Sequence, residues 1–165
     1  MSHAPLRTQI IGFFLWLAAA LAAGALGAIA SVHAAEFYAQ LAQPSWAPPA
    51  WVFGPVWSTL YVLMGIASWL VWRERGSRFR AQALALYVVQ LLANALWSWL
   101  FFAWHRGAFA FVDVVVLLVL IASTVGVFSR VNRTAAWLMI PYLGWVSFAT
   151  GLTFSVWQRN PTVLG

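Results

Sequence analysis

The sequence predicts an all-α membrane protein, a bundle of five transmembrane helices with a long ordered first loop capping one end. Three observations predict it. Hydrophobic residues make up 64% of the 165-residue chain and charged residues only 7%, where an ordinary water-soluble domain would carry about a quarter charged. The apolar residues fall into five runs, each with the ~20 residues that a helical crossing needs. The breaks between runs hold most of the arginines, and one break is long and rich in Pro and Trp.

The first run, Gln9 to Ser31, follows Arg7 and ends in small residues, a pattern shared with cleaved leader peptides. Its apolar length exceeds the roughly 7 to 15 residues of a leader core, so a spanning helix is expected. The stretch of residues 32–52 contains Glu36, Pro44, Pro48 and Pro49, with Trp46 and Trp51 among them. It cannot be a straight helix, and it is too apolar to favour disorder, so it is expected to lie as a cap on the bundle. The second run, Phe53 to Trp72, places Pro55 in a first helical turn, where proline is well suited. The third runs from Ala81 to Trp104. The fourth, Ala108 to Ser129, contains Asp113, the one formal charge inside a run, and the fifth, Thr134 to Trp157, is interrupted by Pro141. Residues 1–165 are therefore expected to form a single transmembrane domain.

Composition removes several function classes. There is no cysteine, hence no disulfide, thiolate metal site, iron–sulfur cluster or cysteine nucleophile. The net charge of +6 raises nucleic-acid binding, but the arginines stand singly or in one short cluster between apolar runs, the layout of membrane-flanking charge. No nucleic-acid partner is expected. Seven arginines fall on the side of the amino terminus and two on the other, so the amino terminus is expected in the cytoplasm, if the protein is in an inner membrane, with the cap and carboxyl terminus opposite. His3, His33 and His105 lack the spacing of a metal site, and no metal is expected. No phosphate-cradling loop or Ser-His-Asp pattern is present. Five helices without paired broken segments do not resemble an inverted-repeat transporter.

Several residues could carry chemistry. Gln90, Asn94, Trp97 and Phe101 are spaced by four, three and four and so share one helical face. Amides at membrane depth face protein or water, which leaves either an interhelical hydrogen bond or the polar lining of a ligand cavity. Asp113 lies near the capped side, within reach of donors such as His105 or Arg106, and a structural role is expected. Beyond Pro141, Tyr142, Trp145, Ala149 and Leu152 follow on one approximate face, with small Ala149 leaving space between large side chains. Trp46, Trp51 and Trp57 cluster at the capped end, where rigid ring faces can stack on a flat ligand. Trp16, Trp69, Trp72 and Trp104 suit interfacial anchoring. Small residues that allow close helix approach occur as Ala81 and Ala85 on the third helix, or Ala20, Gly24 and Ala28 on the first.

The run Pro44-Ser45-Trp46-Ala47-Pro48-Pro49-Ala50-Trp51-Val52-Phe53-Gly54-Pro55-Val56-Trp57, continuing to Leu60-Tyr61 and Met64-Gly65, resembles the hallmark of the translocator protein family, whose bacterial members are called tryptophan-rich sensory proteins. Gln90-Leu91 with Asn94 and Trp97, Phe101-Phe102, Asp113, Pro141-Tyr142-Leu143-Gly144-Trp145 and Phe148-Ala149-Thr150 extend the likeness over essentially the whole chain.

The resemblance implies a five-helix receptor, commonly a homodimer, whose cavity opens toward the first loop and binds porphyrin or haem as ligand rather than as an obligatory cofactor. By motif position the pocket draws on Gly27, Ala30, Phe53, Gly54, Trp57, Tyr61, Asn94, Trp97, Phe109, Val116, Trp145, Phe148, Ala149 and Leu152. Trp57 and Trp145 match tryptophans linked to light- and oxygen-dependent porphyrin breakdown in bacterial relatives, which makes them the candidates for any catalysis. His105, Arg106 and Arg159 on the capped side suit porphyrin carboxylates at the rim. After Leu152 the family usually has Asn-Tyr, whereas Thr153-Phe154 stands here, and Gln158 replaces a common basic residue. These departures count against sterol as a partner and favour porphyrin.

Overall fold

The computed structural model describes residues 5–165. Helix α1 spans Leu6–Ala30, α2 Ala34–Gln40, α3 Phe53–Arg73, α4 Arg80–Ser98, α5 Gly107–Val131, α6 Arg133–Arg159 and α7 Pro161–Leu164. A 3-10 turn, Ala50–Val52, leads into α3, and α4 runs on through a π turn, Trp99–Ala103. Five of these helices, α1, α3, α4, α5 and α6, are long and apolar enough to cross a membrane, and each lies within a few residues of its expected place. Helix α6 continues through Pro141 without a break.

The five long helices form a closed ring in the order α1, α3, α6, α5, α4, with α3 also touching α4 across the middle. Lipid is as apolar as leucine, so apolar side chains gain nothing by turning inward, and what must turn inward is polar. Ser68, Gln90, Asn94 and Thr124 are accordingly buried, while Phe14, Leu15, Leu92 and Val119 face outward and exposed. Helices α1 and α3 pack closely. A Cβ on Gly65 would lie 2.9 Å from the Leu17 Cα, and one on Gly24 2.7 Å from the Tyr61 ring. The first-helix stripe is thereby turned into the bundle, with Ala20 fully buried, whereas Ala81 and Ala85 are exposed on α4.

The two ends are tied differently. At the arginine-rich end Asn132 caps α6, accepting from the Ala135 N–H (3.0 Å), and its amide donates to a Glu74 carboxylate oxygen (3.2 Å). That bond joins the α3–α4 and α5–α6 connections. At the other end the cap is ordered and contains the short helix α2, which its Pro/Trp composition did not announce. The Tyr38 hydroxyl donates to the Pro48 carbonyl (3.3 Å), and burial pushes the Tyr38 phenol pKa up. Phe37 of α2 stacks on His105 with ring centroids 4.2 Å apart. His105 takes a left-handed conformation (φ 52°) to turn the chain from the π turn into α5.

Candidate functional site

A cavity of about 650 Å³ opens among α1, α3, α4 and α6 at the capped end, within the range of roughly 300 to 1,000 Å³ typical of small-molecule sites. Small residues on α1, among them Gly24, Gly27 and Ala28, make room on one side. Ala34, Ala35 and Tyr38 of α2, with Ala50 of the 3-10 turn, close the top. Phe53, Gly54, Trp57 and Tyr61 descend α3, Asn94, Trp97 and Ser98 line α4, and Trp145, Ala149, Leu152 and Thr153 line α6. Among the described residues no Asp, Glu, Arg, Lys or His borders it.

The floor is a chain of neutral hydrogen bonds. The Tyr61 hydroxyl donates to the Asn94 side-chain oxygen, the Asn94 amide donates to the Tyr142 hydroxyl (3.0 Å), and Tyr142 donates to the Gln90 side-chain oxygen (2.9 Å). Three helices are joined through it. Both ends of the Asn94 amide are thus engaged with protein, although the residue also borders the cavity. Above the floor, Trp57 stacks on Tyr61 (centroids 5.7 Å, planes 29° apart) and meets Tyr142 edge-on (6.2 Å). The indole N–H groups of Trp97 and Trp145 are buried without a hydrogen-bond partner.

Residues 15–158 match the sequence profile of the TspO/MBR family. The chain belongs to that family. It is 43% identical to the translocator protein of Homo sapiens over 76% of this chain and 75% of that one. The tryptophan-rich protein TspO of Chlorobaculum tepidum is 36% identical over 94% of this chain and 100% of its own. The tryptophan-rich sensory protein of Cereibacter sphaeroides is 39% identical over 90% of each.

In this TspO/MBR chain the proline- and tryptophan-rich motif forms the cap and the α3 wall, but its tryptophans separate. Trp57 borders the cavity, whereas Trp51 is 74% exposed on the 3-10 turn and Trp46 packs edge-on against Phe148 (5.7 Å). Of the positions expected from the family motif, Gly27, Phe53, Gly54, Trp57, Tyr61, Asn94, Trp97, Trp145, Ala149 and Leu152 line the cavity. Phe109 and Val116 do not. Helix α5 stands behind α4 and α6 and turns Ala110, Val114, Leu117 and Ile121 inward, which leaves Phe109 and Val116 exposed on its outer face. Ala30 lies about 200° round α1 from the lining residue Ala28 and also misses the cavity. Phe148 lines instead a shallow outer groove between α3 and α6, with Pro55, Thr59 and Gly144, and Trp145 borders both spaces.

Asp113 bonds neither His105 nor Arg106, and one of its carboxylate oxygens is buried with no partner. His105 is turned onto Phe37. Arg159 lies against Ser155 of its own helix (3.3 Å). Thr153 faces the cavity and Phe154 faces outward beside Phe111 (5.1 Å). His33 pairs with Glu36 (3.5 Å), and His3 lies outside the described residues. Among the described residues no three His, Cys, Asp or Glu side chains are grouped to hold a metal ion. Ser31, Tyr38, Ser98 and Thr153 are lining residues that the sequence did not single out for the cavity; Ser98 lies one residue beyond Trp97 at the end of α4 and shows itself only through its closeness to Gly27.

Proposed function

We propose that this integral, multi-pass membrane protein is a receptor for porphyrins or similarly flat tetrapyrroles, held in the capped cavity. The observation that carries the proposal is a space of about 650 Å³ walled by the rings of Phe53, Trp57, Tyr61, Trp97 and Trp145 and free of formal charge. Large rigid rings bind a flat aromatic ligand at little entropic cost. Ser31, Ser98 and Thr153 supply neutral polar groups among the rings of the wall. The ligand's carboxylates stay at the capped end, where charge is least costly. Retained ligand, rather than turnover, is the main activity, and the arginine-rich end with the amino terminus faces the cytoplasm.

The test is titration of the purified protein with a free-base porphyrin, followed by Trp fluorescence quenching. Trp57→Ala should weaken binding by about 0.5 to 1.5 kcal/mol, the worth of one aromatic stack beyond area burial. Unchanged affinity in a folded Trp57→Ala protein would place the porphyrin elsewhere. Absorption spectra of the bound porphyrin in light and in dark separate binding from degradation, since only degradation consumes the porphyrin band.

A further inference from the structure

The arginine-rich end is electrostatically unbalanced. Arg73, Arg75, Arg78, Arg80, Arg130 and Arg133 gather there, and Glu74, the carboxylate among them, accepts from Asn132. Among the described residues the one ion pair is His33–Glu36, at the opposite end. Two of the arginines are held without spending their N–H donors. The guanidinium carbons of Arg78 and Arg130 lie 4.6 and 5.5 Å from the ring centroid of Phe79. One ring thus holds both a cation from the α3–α4 connection and a cation from the last turn of α5. Arg80, in contrast, is spent inward, its Nε donating to the Trp72 carbonyl (2.7 Å).

A second observation lies directly along α5. Val112, Val116, Val119, Ser123, Gly126 and Arg130 follow at alternating intervals of four and three, and all are exposed, so they form one outward stripe. Beneath Arg130 the stripe lacks a side chain at Gly126 and opens to space, with no atom within 4 Å of where one would begin. The Ser123 hydroxyl is turned back onto the Val119 carbonyl (2.8 Å), which leaves an apolar surface. Two cations whose guanidinium groups make no hydrogen bond among the described residues sit at the end of an exposed, largely apolar stripe that runs most of the length of α5. Guanidinium forks match phosphate oxygens in pairs, and a headgroup whose acyl chain needs an apolar track is a phospholipid.

We propose that Arg78 and Arg130, mounted on Phe79, bind the phosphate of an anionic phospholipid whose acyl chain lies along the α5 stripe over Gly126. This site is separate from the capped cavity and does not depend on the porphyrin proposal. Phosphatidylglycerol is the probe, with phosphatidylcholine for comparison, and lipid retention is read by native mass spectrometry of protein released from mixed nanodiscs. The wild type should retain phosphatidylglycerol over phosphatidylcholine about tenfold, and R78Q/R130Q should lose most of that preference. R75Q/R133Q removes the same charge from exposed arginines of the same end that hold no ring contact, and should keep it. Gly126→Leu alters no charge, begins in open space and should reduce retention of both lipids by filling the track. Equal losses in the two double variants would mean diffuse charge attraction and overturn the site. Retention unaffected by Gly126→Leu would overturn the acyl track, and equal competition by water-soluble glycerol phosphate would show a free-phosphate site instead.

Discussion

The side-chain amide of Asn160 grips the backbone of Ala42 at two points, accepting from its N–H (2.8 Å) and donating to its carbonyl (3.0 Å) across 118 residues of chain. The same amide donates to the Val156 carbonyl (2.8 Å), so it also finishes the last turn of α6. One buried side chain therefore fixes the loop after α2 to the end of α6, and α2 supplies the top of the cavity. Asn160→Ala should cost about 1 to 3 kcal/mol of stability, the penalty for orphaned buried backbone groups. Hydrogen exchange should rise across residues 38–49, and unaltered exchange there would mean that other contacts hold the cap.

The chain Tyr61–Asn94–Tyr142–Gln90 makes a second prediction. Because both ends of the Asn94 amide are bonded to tyrosines, Asn94→Leu breaks two interhelical bonds and should lower the stability of ligand-free protein by roughly 0.6 to 2 kcal/mol. Tyr142→Phe should do the same through its bonds to Asn94 and Gln90. A melt of either variant in detergent that matches wild type would show that the chain adds no net stability. Any loss of porphyrin affinity in Asn94→Leu should be mirrored in Tyr61→Phe, since the amide borders the cavity alongside the tyrosine it holds.

The fold was legible because lipid simplifies the code. Five runs bounded by arginines and glycines allow few alternatives, and Gln90, Asn94, Trp97 and Phe101 showed the inner face of α4 by spacing alone. Much of the site was legible from motif position, where a local stretch such as Phe53 to Tyr61 keeps its face along one helix. Phe109 and Val116 show where this fails. Around Phe109 and Val116 their helix is apolar on every side but for Asp113, so periodicity carries little sign of which face is inward, and only the ring order puts α5 behind the cavity. Helix α2 was hidden for another reason: its seven residues are shorter than any periodic signal, and its order comes from Asn160, far away in sequence.

Asp113 of α5 has a carboxylate oxygen that is buried with no hydrogen-bond partner among the described residues. Burying an unpaired polar group costs more than removing it. Asp113→Val should therefore raise the melting temperature or leave it unchanged, with the helical content intact by circular dichroism. A clear fall in melting temperature would show that the carboxylate holds a water or lipid donor that stabilises the bundle.

Association between two copies is the remaining expectation, and we propose that it runs through α4. In lipid, apolar area gives no driving force, so helices associate where small residues let backbones approach and dispersion contacts accumulate. Of the two small-residue stripes, the one on α1 is consumed within the bundle: Ala20 is fully buried and Gly24 lies under the Tyr61 ring. On α4, Ala81 and Ala85 are exposed and continue into exposed Val88, Leu92 and Leu96 at helical spacing, while the polar face with Gln90 and Asn94 points the other way. Ala81→Leu with Ala85→Leu would hold a second backbone off without touching the interior. The double variant should shift from dimer to monomer in light scattering in detergent while keeping its melting temperature and its porphyrin affinity; an unaltered dimer would move the interface to another outward face.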